Sequence, residues 1–187
     1  MKVATQTLLT SLTEAAKTNQ AEVRRFKTLS LEQLNYKATP ETWSILECIE
    51  HLNLYAHFYV VEIKERIDQT PHKTPNPIFK GSILGNYFEK SMLPKENLKK
   101  IKTFEDKNPN GSQLGIDVLD KFIAFQDKWF SLLEAAAKVN ISKTKTSITI
   151  KMLKLRMGDT LRFVFAHDKR HIVQAMKIAG DFKAEVA

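Results

Sequence analysis

Apolar residues recur every three or four positions along residues 3–26, which is the spacing of a helix that buries one stripe. A second helix is predicted from start signals at Pro40 and at Thr42 or Ser44, and it runs to about Asp68. Apolar residues cover most of the circumference of this second helix. We therefore expect it to be buried on more than one side.

A proline-rich segment follows, because residues 70–111 carry five of the six prolines. Proline lacks a backbone N–H and interrupts regular structure, so the segment is predicted to be a long crossover. One short helix is expected within it, over residues 82–92. If the crossover encloses a substrate, Tyr87 and Phe88 are its expected apolar lining.

The helical spacing resumes at Ile116 and predicts a third helix that ends near Asn140. Residues 148–157 alternate only in part between apolar and polar side chains, and they are interpreted as an extended loop that enters the last helix. Asp159 is expected to be the N-cap of the fourth helix, which is predicted to end near Gly180.

Four long helices with one long crossover between the second and third predict an all-α fold, a four-helix bundle. The composition, 43% hydrophobic and 27% charged, is that of an ordinary soluble globular protein with a core of its own. Nothing in the chain resembles a linker between two cores. We therefore expect a single domain over residues 1–187.

The formal net charge of +8 raises the question of an anionic partner. Many basic residues lie along one connecting segment, residues 143–156, and no nucleic-acid motif with interleaved aromatics accompanies them. They are interpreted as solvated surface, with no nucleic-acid partner. A single cysteine, Cys48, and the lack of an apolar leader or membrane-length segment predict a cytoplasmic protein with no membrane partner.

The candidate chemistry lies in three histidines. His167 and His171 stand four residues apart on the predicted core face of the last helix, so both rings can reach one metal ion. Such a pair can also face solvent, or consist of hydrogen-bonded core histidines. Because two imidazoles hold a divalent ion weakly, a third ligand is expected from another helix, and His51 in the apolar second helix is the best candidate.

Three further residues are candidates for supporting roles. Glu47, one turn before His51, is a candidate catalytic residue that would orient an imidazole or act as a base on bound water, although a helix-surface role is equally open. Asp168 and Gln174 are expected to form hydrogen bonds that orient the metal-binding imidazoles. The HExxH spacing of zincin proteases is absent between His167 and His171, which argues against a metalloprotease of that class.

Two segments, TWSILECIEHLNLY and FAHDKRHIVQAMKI, resemble the two signatures of the DinB/YfiT-like superfamily, and the resemblance spans nearly the whole chain. It implies a four-helix bundle with a three-histidine metal site on His51, His167 and His171, with Gln174 as the trailing glutamine of the motif. It also implies a divalent metal, nickel or zinc, with an open coordination position for water or substrate.

The same resemblance implies a function. Characterised branches of the superfamily are similar to thiol S-transferases that use bacillithiol, mycothiol or glutathione, and include a maleylpyruvate isomerase. We therefore expect a metal-dependent thiol S-transferase or hydrolase that acts on a small molecule, with a low-molecular-weight thiol as a possible cofactor and a homodimer as a possible assembly. The alternative is a non-enzymatic binding or scaffold protein in which the ion only ties helices together.

Overall fold

The computed structural model describes residues 1–94 and 102–186 and shows the predicted all-α helical bundle. Four long helices make up the bundle, and they are α1 (Thr5–Phe26), α3 (Ile45–Gln69), α5 (Asp117–Ala136) and α6 (Met157–Val186). Two shorter helices are α2 (Leu31–Asn35) and α4 (Ile83–Met92), and a single 3-10 turn covers Glu105–Lys107. The short strands are β1 (Lys2–Ala4), β2 (Ile78–Lys80), β3 (Lys145–Ser147) and β4 (Lys154–Arg156).

The packing of the long helices gives the bundle its order. Helix α3 packs against α5 and α6, and α1 packs against the same two helices, so α1 lies diagonally opposite α3. The side chain of Gln20 bonds Asp127 while Lys27 bonds Asp120, so α1 and α5 run antiparallel. The long crossover between α3 and α5 replaces the tight turn that joins antiparallel neighbours in a simple bundle.

Two apolar clusters fill the bundle, one at each end. The first surrounds Tyr59 and Trp129, and the second surrounds Leu46 and Phe122. Burial of apolar surface, at about 25 cal/mol per Å², supplies most of the free energy that holds the helices together. Between the two clusters the buried side chains are polar, and they include Asn19, His51, Gln126, His167 and Asp168.

The start of α3 is set by a capping box. The Ser44 hydroxyl accepts the Glu47 N–H at 3.1 Å, and the Glu47 carboxylate accepts the Ser44 N–H at 2.8 Å. Of the start signals in the sequence, Ser44 is therefore the N-cap. The cap determines where His51 lies along the helix, because α3 continues without interruption to Gln69.

Two predictions about connecting segments are wrong. Helix α1 begins at Thr5 instead of Val3, because Val3 pairs with Phe79 in a two-stranded sheet. Residues 148–157 are not one extended loop: β3 and β4 form an antiparallel hairpin, and Met157 already begins α6. The partial alternation in this segment belongs to β4, where Leu155 is buried.

The prediction for the ends of the last helix is also wrong. Asp159 lies within the first turn of α6, and its carboxylate accepts the backbone N–H of Ser82 at 3.0 Å, so it caps a neighbouring segment instead of its own helix. Helix α6 continues past Gly180 to Val186. Glycine at an interior helical position costs about 1 kcal/mol of stability relative to alanine. This cost is too small to end α6 at Gly180.

The predicted crossover, residues 70–111, includes residues 95–101, which lie outside the described residues. Helix α4 occupies the predicted position and is held on α6 by the buried guanidinium of Arg162, which bonds Asn86, Glu89 and Asp159. The predicted lining residues differ in their surroundings, because Phe88 contacts the ring of Phe163 while Tyr87 is exposed. No helix within the described residues is both long and apolar enough to cross a bilayer.

Candidate metal centre

Three histidine side chains meet between α3 and α6. The Nε2 atoms of His51 and His167 lie 3.1 Å apart, and the ring centre of His171 is 4.6 Å from that of His51 and 4.7 Å from that of His167. Helical geometry places His167 and His171 on the same face one turn apart, and the packing of α3 against α6 brings His51 opposite them. All three are buried, with relative exposures of 2%, 7% and 9%.

Hydrogen bonds orient two of the three rings. His51 Nδ1–H donates to the backbone carbonyl of Lys107 at 2.7 Å, and His171 Nδ1–H donates to Gln174 Oε1 at 3.0 Å. Because a carbonyl oxygen only accepts, each bond places the ring proton on Nδ1 and leaves Nε2 without a proton, in the form that can bind a metal ion. This is the outer-shell arrangement that metal-binding histidines generally have.

The surroundings keep the three imidazoles neutral. Burial lowers the pKa of His51 to about 4 and that of His171 to about 3. The pKa of His167 is held well below its usual range, first by burial and then by the neighbouring charges of His171 and His51. Neutral imidazole is the form that binds metal, so the ligands need not lose a proton near pH 7.

The arrangement fits a divalent metal ion. The ligand atoms of His51, His167 and His171 all lie within 4.8 Å of one another. Metal–nitrogen bonds of about 2.0–2.1 Å require nitrogen separations of roughly 3.0–3.4 Å, so small side-chain movements suffice to bind one ion. Imidazole nitrogens suit zinc, nickel, copper and iron, whereas magnesium and calcium prefer oxygen. No carboxylate or thiolate joins the cluster within residues 1–94 and 102–186.

Aromatic rings surround the histidines. Trp43 lies over two of them, with ring centres 4.7 Å from His51 and 5.5 Å from His171. Tyr55 contacts His51 and His167 at 4.9 Å and 4.7 Å. These rings exclude water from the sides of the cluster and lower the local dielectric constant, which accounts for the depressed histidine pKa values.

Comparison with known proteins gives the family. The family model described as the DinB superfamily matches residues 6–175. The chain belongs to the DinB superfamily. Searches of curated proteins and of solved structures gave no match. A buried three-histidine cluster in a DinB-superfamily bundle fits a metal-binding protein, and the donor set is consistent with a divalent ion.

The DinB-superfamily fold separates two of the predicted site residues from the cluster. The Glu47 carboxylate caps α3, pairs with Lys37 at 3.1 Å and accepts the Gly111 N–H at 2.6 Å, so its oxygens are already occupied. Asp168 faces the Gln126 amide on α5, and burial raises the pKa of its carboxyl to about 7. A catalytic role for Glu47 and a supporting role for Asp168 stay predictions.

Gln174 contacts His171, as the sequence predicts. Two other contacts of the cluster, those of the Lys107 carbonyl and of Trp43, could not be predicted from the sequence. The Lys107 carbonyl comes from the crossover, 56 residues after His51, and a backbone carbonyl can belong to any residue type. Trp43 contacts the histidines because it lies in the turn that precedes α3. An aromatic residue at that position is equally typical of an anchor in the apolar core, so the sequence does not distinguish the two roles.

Acid is expected to destabilise the metal-free protein through these histidines. The folded-state pKa of His51, about 4, lies below the value of about 6.5 in an unfolded chain, so the unfolded chain takes up the proton first as pH falls. Stability is therefore lost below about pH 6.5, and His51 contributes roughly 2 kcal/mol of this loss by about pH 5. Urea unfolding of chelator-treated protein at about pH 7 and about pH 5 measures the difference.

In this urea experiment, His51→Gln should shrink the difference between the two pH values, and His57→Gln, at an exposed position of the same helix, should leave it unchanged. Equal differences in wild type and His51→Gln would show that His51 does not resist protonation.

Removal of the Gln174 acceptor is expected to weaken metal binding. Gln174→Met keeps the side-chain length but leaves the His171 Nδ1–H without its partner, and loss of such an outer-shell bond costs about 10–100-fold in metal affinity. Nickel titration can be followed through quenching of Trp43, which lies against two of the histidines. The exposed Gln113→Met is the matched control, and equal affinities for both variants would contradict a role for Gln174.

Proposed function

We propose that this protein is a metal-dependent enzyme that acts on a small molecule, with thiol S-transfer as its reaction and metal-dependent hydrolysis as the alternative chemistry. One observation carries the proposal: His51, His167 and His171 form a set of three protein ligands without a fourth among the described residues. Structural zinc sites are closed by four protein ligands, whereas catalytic sites keep one position for water or substrate.

The chemistry follows from that open position. A divalent ion, zinc or nickel, would lower the pKa of a thiol or water bound to it and so supply a nucleophile near neutral pH. The chain orients its ligands in advance, because the Lys107 carbonyl and Gln174 fix two imidazoles and Trp43 limits the access of water. Preorganised ligands of this kind avoid the cost of ordering them during reaction.

Charge near the cluster favours an anionic thiol as the cofactor. The Arg170 guanidinium is close enough to depress the pKa of both His167 and His171, and the Lys107 ammonium does the same for His51. Lys107 also pairs with Asp106 at 2.8 Å, which partly offsets its charge. A thiol that carries carboxylates would be attracted to this region by the two cations.

A structural ion is the second candidate. The three histidines are almost fully buried, and a surface depression of about 530 Å³ is lined by Lys37, Glu47 and Gly111 but includes none of the histidines. A substrate would have to enter past a residue that contacts the cluster, such as Trp43 or Lys107. If neither moves, the ion ties α3 to α6 and contributes only to stability.

An activity screen separates the two candidates. Protein loaded with zinc or nickel is mixed with glutathione, bacillithiol or mycothiol and a chromogenic electrophile, and in parallel with a chromogenic ester. We expect metal-dependent thiol transfer that falls to background in His167→Ala and persists in His57→Ala. Arg170→Met is expected to raise the KM for an anionic thiol without changing the KM for 2-mercaptoethanol.

The structural-ion candidate predicts the opposite result. Wild type would then retain its metal through the assay, unfold at a lower temperature when the metal is removed, and accelerate neither thiol transfer nor ester hydrolysis. That combination would overturn the enzymatic proposal and leave the metal as a structural ion.

A further inference from the structure

A second group of polar side chains is buried in the bundle, away from the three histidines. Asn19 belongs to α1, Gln126 and Trp129 belong to α5, and Asp168 belongs to α6. Each is buried, and Gln126 has a relative exposure of 0%. Trp129 also belongs to the first apolar cluster, so the group lies at the inner border of that cluster.

Helix packing places α5 and α6 at the same level here. The Asp168 carboxyl faces the Gln126 amide, which lowers the pKa of the carboxyl against the larger effect of burial. One turn away on both helices, the rings of Trp129 and Phe165 contact each other, with centres 5.6 Å apart. Gln126 and Trp129 are three residues apart on one face of α5, so both point toward the same part of α6.

Helix α1 contributes Asn19 at this level. The next residue, Gln20, donates to the backbone carbonyl of Ile123 at 3.2 Å and to the Asp127 carboxylate at 2.8 Å. The buried Asn19 therefore lies beside the turn of α5 that carries Gln126. Three helices thus direct polar side chains toward one part of the core.

Most of these polar atoms lack a protein partner. Within the described residues, Asn19 Nδ2, Trp129 Nε1 and both polar atoms of the Gln126 amide lie outside ordinary hydrogen-bond geometry, although the Gln126 amide is near enough to the Asp168 carboxyl to lower its pKa. A buried polar group without a partner is costly and uncommon in native proteins. Four such atoms, on α1 and on two neighbouring turns of α5, indicate that a ligand from outside the chain is bonded to them.

We propose that this group is a binding site for ordered water, held between α1, α5 and α6. The ligand must accept hydrogen bonds from Asn19, Gln126 and Trp129, and it must also donate one to the Gln126 oxygen, beside the Asp168 carboxyl. Water does both. Buried waters generally make about three hydrogen bonds to polar groups that are otherwise unsatisfied.

The chemistry of the group excludes the two charged alternatives. A metal cation would meet the N–H of Trp129, which cannot act as a ligand, together with two amide NH₂ groups. An anion would meet the buried carboxyl of Asp168. Neutral water avoids both repulsions, and it accounts for an amide that faces a carboxyl without closing a hydrogen bond.

The bound water has a consequence for α6. Asp168 directly follows His167, so a network that holds Asp168 toward α1 and α5 also fixes the rotation of the helix that turns His167 toward α3. This role requires neither catalysis nor an open metal position. The water site is therefore independent of the proposed enzymatic function.

The direct test is a crystal structure at about 1.5 Å resolution or better. We expect at least one ordered water within about 3.2 Å of both Gln126 and Asp168. Direct hydrogen bonds among Asn19, Gln126, Trp129 and Asp168 with no water between them would overturn the proposal. An empty space between the four side chains would overturn it equally.

A stability measurement tests the same site without crystals. Gln126→Met keeps the side-chain length but cannot bond water, so we expect it to lower the Tm of metal-free protein by about 3 °C or more. If the site is dry, the same change removes an unsatisfied amide and leaves the Tm unchanged or higher. Gln6→Met, at an exposed position of α1, is the control and should not change the Tm.

Discussion

The contact between α3 and α6 is the interaction on which the candidate site depends. It brings the Nε2 atoms of His51 and His167 to 3.1 Å, in surroundings that exclude water and keep both rings neutral. Two neutral imidazole nitrogens at this distance can share only one proton, in a single N–H···N hydrogen bond. A metal ion would satisfy all three imidazoles at once, and its binding energy would then stabilise the same helix contact.

The rest of the structure supports this contact from several directions. The capping box at Ser44 and Glu47 sets the start of α3, and the pairing of Glu47 with Lys37 and Gly111 holds the neighbouring loops against it. Arg162 fastens α4 to α6 on the other side. Glu47 therefore contributes to the site by positioning the helix that carries His51, a role that follows from its hydrogen bonds and is separate from the predicted catalytic one.

Sequence reasoning succeeds here where periodicity carries the information. The four long helices follow from apolar spacing, and the HxxxH pair with His51 follows from polar residues on otherwise apolar faces. It fails where a side chain bonds to a backbone group that is far away in the sequence. Asp159 caps the turn at Ser82, 77 residues away, and the Lys107 carbonyl orients His51. Such contacts depend on the path of the crossover. The sequence does not indicate that path, because nearly every residue offers the same backbone groups.

One metal ion is expected to bind the three histidines, and the metal content of the purified protein, measured by mass spectrometry, decides whether it does. The protein should be purified without an affinity tag, incubated with nickel or zinc and desalted. We expect close to one ion per chain in wild type and in the exposed control His57→Ala, and little metal in His51→Ala, His167→Ala or His171→Ala. Folded wild type that takes up neither nickel nor zinc would show that the three histidines do not form a metal site.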